Sequence, residues 1–505
     1  IDPWVKAALA TGAGLLVLRV LALLLDPNAL YADETQYWLW SREPDWGYFS
    51  KPPLIAWVIW LTTAVFGNED WAVRLAAPFL HAATATLLGL TAARLSDART
   101  GAVAAILWLT MPAVWLSSAI ISTDAVLMVG WSAGLYATVR LRERSSPAFA
   151  ILLGAAAGWA FLAKYATIYF LLGLALGAVV DAPLRRALIS LNGLLAAATF
   201  AALISGNLLW NAAHEFATVS HTAANANWSG PLFRPDELLS FVTDQLGVFG
   251  PIAFVLLIAA IVEAVRRETK GGFAEARPRL MLAMFVVPAL VIVSAQAFIS
   301  RAHANWAASA YAAGTVLLAL YLMNGPRWRR IALAASLAIH AAAGLTLMTF
   351  AASPQLAEAA GAANAFKRVR EWPQTARLLE AAVDESGAAA VVFDNRNDFH
   401  QMQRYGRFDA PLYMWMRQGG PQNFAEATWP LPAGYAEPVL IASERPEDVP
   451  LIEGDFDRVE PVGEIAVDIG GGRERRYALF LAQGYAPVTR DAAFEARVRA
   501  MRAGD

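Results

Sequence analysis

The chain has 505 residues, of which 57% are hydrophobic and only 16% are charged. This charged fraction lies well below the roughly 25% typical of soluble proteins, so much of the apolar surface must face lipid. The formal net charge of −2 excludes a strongly basic nucleic-acid-binding surface, and the lack of cysteine excludes disulfides and thiolate metal sites.

Apolar runs recur from residue 7 to about residue 351. A helix needs ~20 mostly apolar residues to cross a bilayer. The first run lacks a clear cleavage site, so we interpret it as a membrane helix and not as a signal peptide. We predict about eleven membrane helices, at about residues 7–26, 72–94, 101–119, 123–140, 147–162, 165–180, 187–210, 240–265, 279–299, 306–323 and 331–351.

Arginines concentrate in alternate loops between these helices, which the positive-inside rule makes cytoplasmic. With an odd number of spans, the region after residue 353 then lies outside. The composition, rich in alanine and arginine, is typical of a GC-rich bacterium, so we expect a multi-pass protein of the inner membrane with a periplasmic outer face. The basic residues of these loops are Arg94, Arg99, Arg140, Arg142, Arg144, Arg185, Arg186, Arg266, Arg267, Lys270, Arg277, Arg279, Arg327, Arg329 and Arg330. Lys6 places the N-terminus on the same, cytoplasmic side.

Two domains are predicted, a mostly α transmembrane bundle at residues 1–353 and a soluble α/β domain at residues 354–505. The bundle carries an outer loop at residues 27–71, within which the 13 apolar residues 54–66 are too short to span and are predicted to lie in the interface. In the soluble domain we predict one amphipathic helix and three strands, at residues 372–385, 389–393, 438–442 and 477–481.

The first outer loop contains adjacent carboxylates, Asp33 and Glu34, at the start of a short predicted helix. One interpretation is a capping box, with Asp33 as the N-cap and Gln36 three residues later. The functional interpretation makes Asp33 a general base that takes a proton from an acceptor hydroxyl. Lys51 follows in the same loop and would bind a leaving phosphate, or alternatively anionic lipid headgroups.

Other polar residues are predicted at the same outer face. Asp124 either caps a helix or orients an acceptor. Lys164, followed by Tyr165, either neutralises a phosphate or extends to the surface. Arg301 and His303 precede a helix and are candidates for phosphate binding, and Arg19 in the first span should face the bundle interior.

Several stretches resemble one family, the GT-C superfamily of membrane glycosyltransferases. The first outer loop carries the main signature, and the similarity extends over about residues 1–350. It is most similar to the bacterial branch related to protein O-mannosyltransferases and the lipid A aminoarabinose transferase. The matching stretches are Asp33-Glu34-Thr35-Gln36-Tyr37-Trp38, Lys51-Pro52-Pro53-Leu54, Ser122-Thr123-Asp124, Phe161-Leu162-Ala163-Lys164-Tyr165, Gln245-Leu246-Gly247-Val248-Phe249-Gly250-Pro251 and His303-Ala304-Asn305-Trp306.

The resemblance implies an inverting glycosyltransferase that uses a sugar on a polyprenyl phosphate, here undecaprenyl phosphate, and a lipid, polysaccharide or protein acceptor. It implies that Asp33 is the catalytic carboxylate, with Glu34 beside it, that Asp124 is a second carboxylate, and that Lys51 binds phosphate. No cofactor is required. A divalent metal, if used, would be held by Asp33 and Asp124, although Ser50 stands where the aminoarabinose transferase has an acidic residue.

Two alternatives remain at this point. A lipid or sugar transporter would place polar residues at the bilayer midplane and often contains repeated halves, but apart from Arg19 the charges cluster at helix ends. A membrane scaffold would leave Asp33 and Lys51 replaceable.

Overall fold

The structure, a computed structural model, describes residues 2–224, 232–269, 275–445 and 448–503. The chain divides into two compact units. The first comprises Ile1–Asp26 and Pro44–Ala352, and the second comprises Pro27–Glu43 and Ser353–Asp505. The predicted outer loop is thus shared between the two units, because Pro27–Glu43 belongs to the second one.

The first unit is helical in its described parts. Its helices begin where proline or a capping side chain suits the first turn; Ser122, for example, accepts a hydrogen bond from the Ala125 backbone N–H. The α-helices are Pro3–Leu25, Leu54–Phe66, Asp70–Arg74, Ala76–Leu95, Ala98–Thr110, Pro112–Ala119, Thr123–Glu143, Pro147–Ala163, Ile168–Val180, Ala182–Leu188, Leu191–Ala213, Ala217–Ala224, Pro235–Phe249, Pro251–Glu268, Pro278–Ile299, Ala310–Met323 and Arg327–Ala352, with 3-10 turns at Tyr165–Thr167 and Ala304–Ala307.

The helices identify an integral membrane protein, but they do not confirm the predicted count of about eleven spans. Among the described residues, five helices are long and apolar enough to cross a membrane, or up to eight if each bent pair is one span. The five are Pro3–Leu25, Asp70–Leu95, Leu191–Ala213, Pro278–Ile299 and Arg327–Ala352.

The predicted continuous helix at residues 240–265 is wrong. Two helices, Pro235–Phe249 and Pro251–Glu268, meet there at an angle of 105°. Gly250 at the junction has φ +97°, and a side chain at Gly250 would also collide with the imidazole of His340. Pro251 then begins the next helix, where its missing N–H has no cost. A smaller bend of 58° divides the predicted helix at residues 101–119 before Pro112.

The second unit is an α/β domain with one five-stranded sheet. The strand order is β2-β1-β3-β5-β4, in which β1 pairs in parallel with β2 and β3, and β5 pairs antiparallel with β3 and β4. The strands are β1 Ala390–Phe393, β2 Leu412–Met414, β3 Val439–Ser443, β4 Phe456–Gly470 and β5 Arg473–Tyr485. The α-helices are Ala32–Arg42, Pro354–Ala359, Trp372–Ser386, Arg396–Tyr405, Phe424–Thr428, Val449–Glu453 and Ala492–Ala503, with a 3-10 turn at Ala363–Phe366.

The predicted strands of this domain are confirmed as β1, β3 and part of β5, and the predicted helix is Trp372–Ser386. Alternate residues of β1 point to opposite sides of the sheet, and both sides are buried. Val391 and Phe393 join a core with Trp372, whereas Ala390 and Val392 join a separate core. Such a two-sided sheet with helices explains why short apolar runs predicted β1 and β3.

Candidate active site

The helix Ala32–Arg42, here called the Asp33 helix, has a different N-terminus from the one predicted. Tyr31 is the N-cap residue, and its backbone N–H donates to the carboxylate of Glu34 at 2.9 Å. The interpretation of Asp33 as the N-cap is therefore wrong, because the helix begins one residue before it. Asp33 instead lies in the first turn with an exposed side chain. Its carboxylate is not used for capping.

Glu34 is also a predicted catalytic residue, but its surroundings differ from those of Asp33. Its side chain is 2% exposed. Its carboxylate satisfies a backbone N–H that would otherwise lack a partner at the helix N-terminus. Of the two adjacent acids, Asp33 is the one with an exposed carboxylate.

In the first unit, Lys51 lies in a loop of residues 44–53 that is held by hydrogen bonds. Asn207 donates its side-chain N–H to the Trp46 carbonyl at 2.7 Å, and Thr218 donates its hydroxyl to the Tyr48 carbonyl at 2.6 Å. Both donors are fully buried. Pro53 then precedes the helix Leu54–Phe66, so the backbone on either side of Lys51 is fixed.

Asp124 has two polar partners that are distant in sequence. One carboxylate oxygen accepts from the Lys164 ammonium at 2.7 Å, and the other accepts from the Asn305 amide at 2.9 Å. Ser122 caps the helix, so Asp124 is not merely a capping residue. The ion pair is partly exposed, at 21% for Lys164 and 17% for Asp124, and remains accessible to a substrate.

Tyr165 links this group to the Lys51 loop. Its hydroxyl donates to the side-chain oxygen of Asn207 at 2.9 Å and accepts from the Asn211 amide at 3.0 Å. Since Asn207 also holds the Trp46 carbonyl, the hydrogen bonds bring Asp124, Lys164, Tyr165 and the Lys51 loop to one end of the helices.

Sequence reasoning missed Asn207 and Asn211, both of which are buried. They lie one helical turn apart in the apolar helix Leu191–Ala213. Polar residues at this spacing share one face of a helix, and in a membrane helix such a face must find partners. The spacing of these two asparagines in the sequence could therefore have identified them as a polar face with partners elsewhere in the protein.

The turn that contains Arg301 and His303 is joined to the same group through Asn305. Gln245 donates to the Ala304 carbonyl at 3.2 Å and accepts from the Tyr311 hydroxyl at 2.6 Å, so a buried side chain of the helix Pro235–Phe249 holds the turn. Arg301 and His303 are both exposed. The first unit therefore gathers the Lys164 ammonium, the Arg301 guanidinium and the His303 imidazole at one end.

Arg19 faces the interior of the first unit, as expected. Its guanidinium donates to the Leu109 carbonyl and lies 5.0 Å from the ring centre of Trp115. These two partners are a backbone carbonyl and an aromatic face, which attracts a cation.

A divalent metal would need several oxygen or nitrogen ligands that converge on one point. Within residues 2–224, 232–269, 275–445 and 448–503, no three His, Asp or Glu side chains converge as metal ligands. Both oxygens of Asp124 already accept hydrogen bonds.

A buried acidic cluster lies where β1 and β3 end in the second unit. Asp394 follows β1 and accepts from the Ser443 hydroxyl at 2.6 Å. Burial raises the pKa of Asp394 to about 6. Burial also raises the pKa of Asp398, and the neighbouring Glu444 and Asp394 carboxylates raise it further. This domain should therefore bind protons in the folded state at mildly acidic pH.

We expect the second unit to lose stability as the pH rises from about 4 to about 6. Folded Asp394 stays protonated up to a pKa of about 6, whereas the unfolded residue ionises at its ordinary value of 3.8. The stabilisation is complete below the unfolded pKa and is lost as the pH passes the folded one, a change of about 3 kcal/mol for this group. Hydrogen exchange of β1 and β3 amides in the full chain measures the local free energy of unfolding.

The variant Asp394→Asn should flatten this pH dependence because its side chain does not ionise. Asp384→Asn is the control, since Asp384 is exposed on the helix Trp372–Ser386. An unaltered pH dependence in Asp394→Asn would contradict the assignment of the buried proton to Asp394.

Comparison with known proteins identifies the family. The model of the dolichyl-phosphate-mannose-protein mannosyltransferase family matches residues 50–210. A protein from Rhizobium johnstonii, lipid A galacturonosyltransferase RgtD, is 32% identical over 444 residues, which are 87% of this chain and 91% of the relative.

Solved structures share the fold. ArnT from Cupriavidus metallidurans bound to undecaprenyl phosphate has a TM-score of 0.67 at 17% identity, covering 94% of this chain and 98% of that chain. The Archaeoglobus fulgidus oligosaccharyltransferase in complex with Zn and sulfate has a TM-score of 0.51 at 13% identity, covering 88% and 71%. The chain therefore belongs to the GT-C glycosyltransferases related to ArnT and the protein O-mannosyltransferases, and it is a glycosyltransferase.

Proposed function

We propose that this glycosyltransferase moves a uronic acid from a polyprenyl phosphate, undecaprenyl phosphate in bacteria, to lipid A. The observation that carries the proposal is the 32% identity over most of the chain to a lipid A galacturonosyltransferase. The likeness in fold to ArnT bound to undecaprenyl phosphate supports the carrier. The reaction would take place at the periplasmic face of the inner membrane.

Four basic side chains of the first unit suit the donor phosphate. In the proposed reaction Lys51 binds this phosphate, and Arg301 and His303 add hydrogen-bond donors as negative charge grows on it. Lys164 contributes its charge beside Tyr165, and its pairing with Asp124 sets its position. Asn207 holds the Trp46 carbonyl and Asn211 holds the Tyr165 hydroxyl, which keeps the surrounding groups in place before the reaction begins.

Asp33 acts as the general base in this proposal. The acceptor hydroxyl gives its proton to the Asp33 carboxylate while its oxygen forms a bond to the anomeric carbon. The bond from that carbon to the phosphate oxygen breaks at the same time, and its electron pair leaves with the polyprenyl phosphate. Attack opposite the leaving group inverts the anomeric centre. Neither a nucleotide nor a metal enters the balance.

The test is transfer from synthetic undecaprenyl-phosphate sugars by the purified full-length protein, with lipid A as acceptor and mass spectrometry as the readout. Galacturonic acid and galactose form a matched donor pair that differs only at the sixth carbon. Transfer of the uronic acid alone supports the proposal. Transfer of aminoarabinose or a neutral sugar would show that the proposed donor is wrong. Modification of a serine- or threonine-containing peptide would show that the proposed acceptor is wrong.

The transporter alternative is not favoured, because the relatives that identify the family are glycosyltransferases. It makes a distinct prediction in the same assay. A transporter reconstituted in vesicles would move the labelled lipid across the vesicle membrane without releasing polyprenyl phosphate.

The pair Asp124–Lys164 should act as one unit in turnover. We expect Asp124→Asn and Lys164→Met each to lower kcat/KM by about ten-fold, and the double variant to lose little more, since contacting residues are coupled. Steady-state kinetics of the four proteins measures this coupling.

The ion pair Arg94–Glu143 offers a control, because it also has a 2.7 Å contact but joins two helix ends predicted to be cytoplasmic. Glu143→Gln should leave turnover unchanged. Independent effects of Asp124→Asn and Lys164→Met that multiply in the double variant would contradict the coupled role.

A further inference from the structure

The segment Pro27–Glu43 is bound into the second unit by hydrogen bonds that join residues far apart in sequence. The Ala29 N–H donates to the Val369 carbonyl at 2.9 Å. Leu30 is fully buried, and the side chains of one helix, Arg396–Tyr405, satisfy both of its backbone groups. Its N–H donates to the Tyr405 hydroxyl at 2.7 Å, and its carbonyl accepts from the Gln401 amide at 2.9 Å.

Apolar and aromatic contacts continue along the same segment. Ala29 belongs to the core on one face of the sheet. Trp40 is 1% exposed, and its ring centre lies 5.6 Å from that of Phe424. The Arg404 guanidinium lies 4.5 Å from the ring centre of Trp38. Both ends of the Asp33 helix are therefore packed against residues that follow it by more than three hundred positions.

We propose that Gln401 and Tyr405 are positioning residues for catalysis, because they hold the backbone from which the Asp33 helix starts. The inference rests on the proposed function, specifically on Asp33 as the general base. Leu30 lies three residues before Asp33, and between them the Tyr31–Glu34 hydrogen bond fixes the helix start. The α/β domain thereby has a role in the transfer reaction, as the support for its base.

The hydrogen bonds at Leu30 are suited to this role. A buried N–H or carbonyl without a partner is costly, so each of these two side chains favours a single position of the backbone. A general base must be within hydrogen-bond reach of the proton that it accepts, and a displacement of about 1 Å can lower the rate about a hundred-fold. Loosening Leu30 should therefore affect turnover before it affects the folding of the sheet.

The experiment uses the full-length protein with Tyr405→Phe, which removes only the hydroxyl that accepts from Leu30, and Gln401→Met, which removes the amide that donates to it. We expect kcat to fall about ten- to a hundred-fold in each variant. KM for the donor should stay unchanged, because the proposed phosphate-binding side chains belong to the first unit. Amides of residues 27–43 should exchange hydrogen faster, while β1 and β3 should keep their protection.

Tyr435→Phe is the matched control, since it removes the same hydroxyl from a tyrosine of the same domain that packs on the other face of the sheet. It should retain both kcat and the protection of residues 27–43. If Tyr405→Phe unfolds the domain, seen as lost protection of β1 and β3, Gln401→Met provides the test.

Two results separate this inference from the proposed function. If Asp33→Asn is inactive while Tyr405→Phe and Gln401→Met keep the wild-type kcat, the positioning role is overturned and the function stands. If Asp33→Asn is fully active, the catalytic assignment fails, and the inference of a role in catalysis fails with it. A lower kcat with an unchanged KM for the donor, together with faster hydrogen exchange confined to residues 27–43, supports the inference.

Discussion

Asp33→Asn is expected to lower kcat about a hundred- to ten-thousand-fold, which is the usual contribution of a general base. The asparagine has nearly the same shape but cannot accept the acceptor hydroxyl's proton. The Asp33 side chain is exposed and lies outside the capping contact made by Glu34, so the helix should form normally in the variant. Single-turnover transfer from the donor identified in the assay measures the chemical step.

Glu43→Gln is the control for Asp33→Asn, because Glu43 is an exposed carboxylate at the other end of the same helix. It should retain wild-type turnover. Hydrogen exchange of residues 27–43 should be the same in all three proteins. If Asp33→Asn transferred sugar at the wild-type rate, another group would have to remove the proton.

Lys51→Ala should lower kcat about a hundred- to a thousand-fold, the effect of removing one preorganised donor to developing charge. In the proposed reaction the contact strengthens as the phosphate oxygen takes up the electron pair of the broken bond. Removing Lys51 should therefore destabilise the transition state more than the bound donor. Lys51→Arg should recover part of the activity, since it keeps the charge but changes the geometry. Steady-state kinetics with varied donor concentration separates kcat from KM.

Lys6→Ala serves as the control for Lys51→Ala, because Lys6 is exposed near the start of the first helix and is predicted to be cytoplasmic. Its removal should leave both constants unchanged. An increase in KM with an unaltered kcat in Lys51→Ala would instead indicate that Lys51 binds donor and transition state equally.

The alternative role of Lys51, binding of anionic headgroups, makes a different prediction. Lys51→Ala would then alter the dependence of turnover on anionic lipid and leave kcat unchanged in a neutral bilayer. In either role Lys51 extends from a fixed backbone, because Asn207 and Thr218 hold the Trp46 and Tyr48 carbonyls.

The local pattern of the sequence was sufficient for the positions of most elements. The apolar run of residues 54–66 corresponds to the helix Leu54–Phe66, and Ser122 before an apolar run predicted the helix that begins at Thr123. Short apolar runs likewise predicted β1 and β3. Whether a residue is buried in lipid or in a core depends on its position along its own helix or strand. The spacing of apolar residues in the sequence therefore indicates the type of element.

Elements with few buried apolar residues were harder to predict, because the prediction depends on the spacing of such residues. β4 is a 15-residue strand with mostly exposed residues, and only its second half alternates, where Ile465, Val467 and Ile469 are more buried than their neighbours. It forms because its backbone pairs with β5, and the glycine turn at residues 470–472 joins the two strands with positive φ angles. β2 has only three residues, which is too short for a pattern.

The sequence by itself thus determined a membrane-embedded helical protein with an α/β domain and a resemblance centred on Asp33 and Lys51. The tertiary structure alone decided which polar groups meet, such as Asp124 with Asn305, 181 residues away, and Leu30 with Gln401. It also assigned the Asp33 helix to the second unit. A local pattern records whether a residue is buried, whereas its partner depends on how distant helices pack, and a single sequence carries no direct record of that.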